Sequence, residues 1–205
     1  MKNVIVMALL LTLFTTLLGA KNIEASLLVD KEGLRYEKNS DVPFSGNAYT
    51  FFANGKTKKI VPYYKGQIDG RLTEWRQNGT VKTIAYFRKG KQDGEYIARY
   101  ANGKKAIVAY FRNGKQDGEV VTWYKNGRKK SSAYFNNDVQ NGESVTWYDN
   151  GKKKSQALYR NGKLDGEYKE WHRNGQLAYK AQYKNGKLLA VEKQLKQDGT
   201  EIAAK

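Results

Sequence analysis

Two columns of glycine recur every 24 residues without an insertion, and they constrain the fold more than any other feature of the chain. One column opens each unit and the other follows an Asn in the middle of the unit. The two columns are Gly46, Gly70, Gly94, Gly118, Gly142 and Gly166, and Gly55, Gly79, Gly103, Gly127, Gly151 and Gly175. Columns of Phe or Tyr and of Asp keep the same register. A fixed period of this length indicates a repeat protein in which each unit packs against its neighbours.

Each unit has the composition of a β-hairpin. In the fourth unit, two runs rich in β-branched and aromatic residues, Glu119–Lys125 and Arg128–Phe135, flank Asn126-Gly127. Asn-Gly in this position favours a two-residue type I′ turn, and Asn136–Gly142 predicts a longer turn into the next unit. The sequence therefore predicts an all-β fold, a single-layer antiparallel meander of 24-residue hairpins that is elongated and twisted.

The N-terminus has the features of a secretory signal peptide. Val4–Leu18 is a run of apolar residues and Thr that is shorter than the roughly 20 residues needed to span a bilayer. Residues 1–20 are therefore predicted to be removed, with cleavage after residue 20 or 25. An uncleaved anchor is the alternative. Because the chain has no Cys, a lipoprotein is excluded. The expected location is the periplasm, the cell surface or the exterior.

The remaining chain divides into three parts. Residues 21–45 are predicted to be an N-terminal linker and capping strand, and residues 46–189 are six hairpin repeats. Residues 190–205 form a degenerate seventh repeat or C-terminal cap, in which Asp198-Gly199 keeps the turn. The open edges of such a ribbon could also pair into an edge-strand homodimer.

The composition argues against catalysis. The chain has no Cys and one His, which excludes thiol nucleophiles and multi-histidine metal centres. That His172 occupies a column of Tyr, and the Glu residues recur identically in each unit, whereas catalytic carboxylates differ in environment. We therefore predict a protein that is not an enzyme and that has no cofactor, catalytic residue or metal. A calcium ladder along the Asp column is a weaker alternative.

Alternation along the strands assigns two faces. One holds Val120, Thr122, Tyr124, Lys129, Ser131, Ala133 and Phe135 and is called the phenylalanine face. The other holds Val121, Trp123, Lys130, Ser132 and Tyr134 and is called the tryptophan face. A two-residue turn would pair Trp123 with Lys130. The predicted binding platform on the tryptophan face consists of Trp75, Trp123, Trp147 and Trp171 opposite Lys82, Lys130 and Lys154. The alternative is that these residues only pack the repeats together.

The charge favours an anionic partner. The chain carries 37 Lys and Arg against 20 Asp and Glu, a net charge of +17. Its basic residues are spread evenly and the chain is predicted to be exported, so we do not expect nucleic acid as a partner. We expect a binding or scaffold surface for an envelope component, an anionic lipid or glycan, or another cell, as in adhesion.

The pattern resembles a known repeat family. Units of the form G-E-x-x-x-W-Y-x-N-G-K and Y/F-x-N-G-K-x-D-G are similar to the MORN repeat in its bacterial variant, found in toxin–antitoxin YwqK-family antitoxins. The resemblance covers about Pro43 to Asp198. It implies curved single-layer sheets of hairpins that contact proteins or lipids. It also implies a second candidate function, that of an antitoxin-like protein that neutralises a partner by direct binding.

Overall fold

The computed structural model describes residues 21–202, so the predicted signal peptide lies outside the described residues. Residues 21–202 contain eighteen strands, one short 3-10 helix at Ala25–Leu27, and no helix long and apolar enough to cross a membrane. The strands are β1 (Lys21–Glu24), β2 (Leu28–Lys31), β3 (Leu34–Glu37), β4 (Gly46–Phe51), β5 (Thr57–Tyr64), β6 (Gln67–Ile68), β7 (Gly70–Trp75), β8 (Val81–Arg88), β9 (Lys91–Arg99), β10 (Lys105–Arg112), β11 (Lys115–Gln116), β12 (Gly118–Trp123), β13 (Lys129–Asn136), β14 (Val139–Trp147), β15 (Lys153–Arg160), β16 (Lys163–Trp171), β17 (Leu177–Lys184) and β18 (Lys187–Gln194).

Sixteen of these strands form one long sheet in chain order, which confirms the predicted meander. Every neighbouring pair from β4 to β18 is antiparallel, and only β1 pairs in parallel, with β4. The two edges of the sheet are β1 and β18. Since a two-stranded hairpin is marginal in water, the contact between consecutive hairpins supplies the stability of the array.

The N-terminal segment is a cap with a small core of its own. Strands β2 and β3 form a separate hairpin, and Leu28 and Phe44 are buried against Ala48 of the first repeat. Gly46 lies so close to β1 that a Cβ atom there would be 2.1 Å from the carbonyl oxygen of Lys21. The cap therefore covers the edge of β4 and fixes the start of the array.

The Asn-Gly turn differs from the expected type I′ turn. The N–H of Gly127 donates to the carbonyl of Tyr124 at 2.8 Å, and the N–H of Tyr124 donates to the carbonyl of Arg128 at 2.9 Å. Gly127 has a positive φ of 93°, whereas Asn126 is not among the positive-φ residues. The loop therefore has three residues and is followed by a bulge at Lys130, because Thr122 pairs with Ser131 and Trp123 with Lys129.

The type I′ turns lie instead at the junctions between units. Asn113 and Gly114 have φ of 51° and 85°, and Asn137 and Asp138 have φ of 50° and 69°. The longer turn expected at Asn136–Gly142 was wrong, because β13 continues to Asn136 and β14 starts at Val139. Asn-Gly satisfies both loop lengths, so the dipeptide alone did not distinguish them.

The glycine that opens each unit makes room for a side chain on the neighbouring strand. Ala85 pairs with Tyr96 and Phe87 with Gln92, so Tyr86 faces a bulge that contains Gly94. A Cβ atom on Gly94 would be 3.0 Å from the Cβ of Tyr86, and one on Gly118 would be 3.1 Å from that of Tyr110. The glycines also have positive φ, at 117° and 127°. The column is therefore structural.

The Asp column serves the junction turns. The carboxylates of Asp69 and Asp93 accept the N–H of Lys89 at 3.0 Å and of Asn113 at 3.1 Å in the next unit. Asp165 accepts from Lys184 Nζ at 3.1 Å, and these charge-assisted contacts order the turn. Within residues 21–202 no group of three or more His, Asp and Glu side chains is arranged to hold a metal ion. Hydrogen bonds to the junction turns therefore account for the Asp column.

The Asp165 contact predicts a pH-dependent stability. The hydrogen bond from Lys184 holds the pKa of Asp165 below its ordinary value, with a smaller contribution from the N–H of Asn185. A lowered carboxyl pKa stabilises the fold above the ordinary value, and this stabilisation is lost as the pH falls through the folded-state pKa. Asp165→Asn should therefore lower Tm at about pH 6 and leave it unchanged at about pH 2. Asp41→Asn, at an exposed carboxylate, is the control; an Asp165→Asn effect that persists in acid would contradict this origin.

Candidate binding surfaces

The four tryptophans lie in a row on the tryptophan face. Trp123, Trp147 and Trp171 close their strands at equivalent positions, each paired across the three-residue turn with residue 129, 153 or 177. Lysine ammonium groups lie over three of the indole rings. Lys105 Nζ is 5.8 Å from the Trp123 ring, Lys129 Nζ is 5.9 Å from Trp147, and Lys153 Nζ is 5.7 Å from Trp171. These lysines come from the preceding unit, so each cation–π pair connects two repeats.

The predicted lysines of the platform lie on the opposite face. Lys82 forms an ion pair with Glu74 at 3.0 Å, and Glu74 pairs with Thr83 on the phenylalanine face. Lys130 and Lys154 lie over the rings of Tyr124 and Tyr148, each at 5.9 Å. The expected pairing of Trp123 with Lys130 and the expected position of Lys129 on the phenylalanine face were both wrong, because the three-residue turn shifts the register by one residue. The predicted tryptophans therefore share one face, and the lysines beside them are Lys105, Lys129 and Lys153 instead of the predicted Lys82, Lys130 and Lys154.

A second row of exposed side chains lies on the tryptophan face, where alternation along the strand also places Tyr134, although the predicted binding platform does not include this row. Tyr86, Tyr110 and Tyr134 are 37%, 42% and 51% exposed, and Leu158 continues the row. Each residue precedes a member of the Phe or Tyr column, so its 24-residue spacing was visible in the sequence. Large exposed aromatic side chains in a row are typical of contact surfaces. The tryptophan face therefore presents parallel rows of aromatic and basic side chains.

A ladder of turn side chains joins successive repeats. The hydroxyls of Tyr100, Tyr124 and Tyr148 donate to the carbonyls of Trp123, Trp147 and Trp171 at 2.6, 2.7 and 2.8 Å. His172 continues the ladder, with Nε2 at 2.9 Å from the carbonyl of Leu195. The one histidine of the chain is thus part of the contact between repeats, in agreement with its position in a Tyr column.

A groove of about 630 Å³ lies on the phenylalanine face of the last repeats. Four tyrosines line it: Tyr159, Tyr168, Tyr179 and Tyr183. Tyr168 packs edge-on against Tyr179 and Tyr183, with ring centroids 6.1 and 5.9 Å apart. Glu170 and His172 also line the groove, while Trp171 between them does not, as expected for alternating faces. We call this site the tyrosine groove.

The tyrosine groove changes the acidity of its phenols. Burial raises the pKa of Tyr168, and the hydrogen bond that its hydroxyl donates to Glu170 raises the pKa further. Burial likewise raises the pKa of Tyr179, with a hydrogen bond to Tyr183 as the next cause. Both phenols therefore remain neutral hydrogen-bond donors at physiological pH.

The tryptophan face becomes a charged network in the same repeats. Lys180 Nζ is 3.1 Å from Glu167 and 2.6 Å from Glu192, and Lys169 also contacts Glu167. Hydrogen bonds from Lys169 and Lys180 lower the pKa of Glu167, and those from Lys180 and Gln182 lower the pKa of Glu192. These charges neutralise one another, so the platform of rows is best developed in the repeats before the last.

The comparisons with known proteins identify the repeat. A search of curated proteins gave no match to the chain. Residues 116–137, 140–161 and 164–185 each match the MORN repeat variant. The three matches are in the register of the hairpins, and MORN repeats generally act as binding or scaffold modules. Three consecutive units of this array therefore match the MORN repeat variant in tandem.

Proposed function

We propose that this chain is a non-catalytic scaffold that binds an anionic component of the cell envelope through its tryptophan face. The proposal rests on the alternation of the rows of indole rings, lysines and exposed tyrosines on this face. Lys105, Lys129 and Lys153 lie over indole rings while their side chains stay exposed to solvent. This arrangement combines an apolar contact area with positive charge at fixed positions.

The spacing of the rows suits an extended partner. One repeat contributes two strands, so equivalent side chains recur about every 10 Å along the sheet. A surface or a polymer that carries phosphate or carboxylate groups can contact several units at once, which raises its overall affinity. The net charge of +17 attracts such a partner, and this attraction weakens as salt is added.

The location of the protein is part of the proposal. The predicted signal peptide at residues 1–20 favours export, where phosphate-bearing lipids and acidic glycans of the envelope are available. The antitoxin-like alternative requires that the chain meet its partner protein in the cytoplasm or that the partner also be exported. Sequencing the N-terminus of the mature chain and digesting intact cells with protease distinguish an exported, cleaved chain from one that keeps residues 1–20.

Two triple variants with the same loss of charge test the platform. Lys105→Gln/Lys129→Gln/Lys153→Gln alters the tryptophan face, and the matched control Lys82→Gln/Lys130→Gln/Lys154→Gln alters the other face. Binding to vesicles of anionic lipid, and separately to purified acidic envelope glycan, is measured by sedimentation. At about 1 kcal/mol per lysine, the first triple should weaken binding by about 100-fold.

The control triple should weaken binding much less, and Trp123→Ala or Trp147→Ala should weaken it at unchanged circular dichroism. Equal losses in both lysine triples would mean that net charge alone drives binding, and the proposed platform would be wrong. Binding that survives about 1 M salt would contradict the electrostatic contribution. Binding to vesicles but not to glycan, or the reverse, identifies the source of the anionic groups.

A further inference from the structure

The tyrosine groove breaks the regularity of the array. Tyr168, Glu170 and Tyr179 line it, and the fifth repeat has Ser144, Thr146 and Ser155 in the corresponding columns. In the fourth and fifth repeats the Thr and Ser of these columns form hydrogen bonds of 2.6 Å across the strands. Those small pairs fulfil the packing role of the columns. Tyr96 and Glu74 occupy two of these columns in the third and second repeats, but only the sixth repeat brings two tyrosines and a glutamate together.

The lining of the groove has an electrostatic character opposite to that of the whole chain. The chain carries 37 Lys and Arg, yet among the described residues none of the side chains that line the groove is a lysine or an arginine. Glu170 is exposed and supplies a carboxylate. Its contact with the Tyr168 hydroxyl involves Oε1, which leaves Oε2 for a ligand. The groove therefore combines four aromatic rings with one negative charge.

We propose that the tyrosine groove binds an alkylated ammonium group, of the kind carried by choline. The negative faces of aromatic rings attract such a cation, and its alkyl shell keeps the desolvation cost low. A carboxylate beside the rings adds direct charge attraction, whereas it repels phosphate and carboxylate ligands. The site is on the phenylalanine face, so it is independent of the anionic platform proposed for the tryptophan face.

The neighbouring side chains are consistent with this ligand. Leu164, Leu195 and Ile202 border the groove and provide an apolar contact for alkyl substituents. His172 is held by its Nε2 contact with the Leu195 carbonyl, which fixes that wall of the groove. Because the C-terminal turn supplies Leu195 and Ile202, the site is complete only when residues 195–202 are docked on the last repeat.

Choline and tetramethylammonium are the probes for the first experiment. Binding to the full chain is measured by calorimetry and by NMR of the tyrosine rings. The control probe is the tert-butyl analogue of choline, in which a neutral carbon replaces the quaternary nitrogen. Choline and tetramethylammonium should bind at one site per chain, and the neutral analogue should bind at least about tenfold more weakly. Equal binding of the neutral analogue would show an apolar site and would overturn the proposal, as would no binding of either cation.

Variants that restore the ordinary repeat provide the second experiment. Glu170→Thr and Tyr179→Ser place in the sixth repeat the residues of the fourth and fifth, so the fold should tolerate them. Each should reduce choline binding by about tenfold or more. Unchanged affinity in both restoring variants would place the cation elsewhere.

The source of the ammonium group is tested with vesicles. If the groove receives a lipid headgroup, neutral phosphatidylcholine vesicles should bind the chain and free choline should compete. If it receives a free ligand, choline should bind and the vesicles should not. The Lys105→Gln/Lys129→Gln/Lys153→Gln variant should bind choline normally, so failure of the anionic platform and failure of the tyrosine groove are distinguishable.

Discussion

Gly46→Ala should release the N-terminal cap and destabilise the start of the array by about 3–5 kcal/mol. A Cβ atom at this position would lie 2.1 Å from the carbonyl oxygen of Lys21 and 2.9 Å from the Phe44 ring, and the φ of Gly46 is 150°. Backbone strain for a residue with a side chain costs about 1–3 kcal/mol, and overpacking costs a similar amount. Strand β1 would have to separate from β4, since a backbone carbonyl cannot rotate away as a flexible side chain can.

Hydrogen exchange of β1 and β4, together with urea unfolding, measures this effect. Gly55→Ala is the matched control, because Gly55 also has a positive φ, of 78°, but a Cβ atom there would meet no atom within 4 Å. The control should cost about 1–2 kcal/mol, from backbone strain alone. Loss of the cap should also expose the β4 edge and promote association of chains, visible by gel filtration. Equal costs for the two variants would show that β1 does not depend on the close approach.

The triple variant Tyr100→Phe/Tyr124→Phe/Tyr148→Phe should lower stability by about 3 kcal/mol. Each substitution removes one hydroxyl that donates to a carbonyl of the next repeat, at 2.6–2.8 Å, and a net hydrogen bond contributes about 1 kcal/mol. The rings remain, so packing changes little. Because these bonds cross the contacts between repeats, their loss should also reduce cooperativity and broaden the unfolding transition.

The exposed tyrosines supply the control for this triple variant. Tyr64→Phe/Tyr86→Phe/Tyr134→Phe removes the same three oxygen atoms from side chains that are 58%, 37% and 51% exposed. It should leave the thermal unfolding midpoint and the width of the transition almost unchanged. If both triples lower stability equally, the ladder does not couple the repeats.

The sequence predicted the fold because the period leaves few alternatives. Glycine columns at a spacing of 24 residues placed the units, and alternation along each strand assigned the faces of residues 118–123 and 131–135, as the pairing of Val120 with Ala133 shows. The assignment of faces was wrong for the residues beside the Asn-Gly turn. Asn126 accepts the N–H of Arg128 at 2.9 Å and donates to the carbonyl of Asp149 at 2.9 Å, so the Asn side chain is selected by the next repeat as well as by its own turn. A contact between units cannot be predicted from the sequence of one unit alone.

The same limitation explains which candidate site residues were missed. Lys105, Lys129 and Lys153 lie over indole rings of the following unit. Because the prediction considered one hairpin at a time, it named Lys82, Lys130 and Lys154 as the lysines of the platform instead. The tyrosine groove was missed for another reason. The prediction considered residues that recur in every unit and not those that occur in one unit. Tyr179 is such a residue, because the other members of its column are Lys59, Thr83, Ile107, Ser131 and Ser155.

The Asn side chains of the turns join successive repeats in the same sense as the ladder of turn side chains, and they give the array a direction. Asn102, Asn126, Asn150 and Asn174 each donate from Nδ2 to a carbonyl 23 residues further along, while the last turn has Asp198, which only accepts from Thr200. A carboxylate has no N–H with which to hold a following turn. Each interior turn thus carries in its own side chain the means of joining the next unit, and a hairpin placed after Asp198-Gly199 would require Asp198→Asn to be held in the same way.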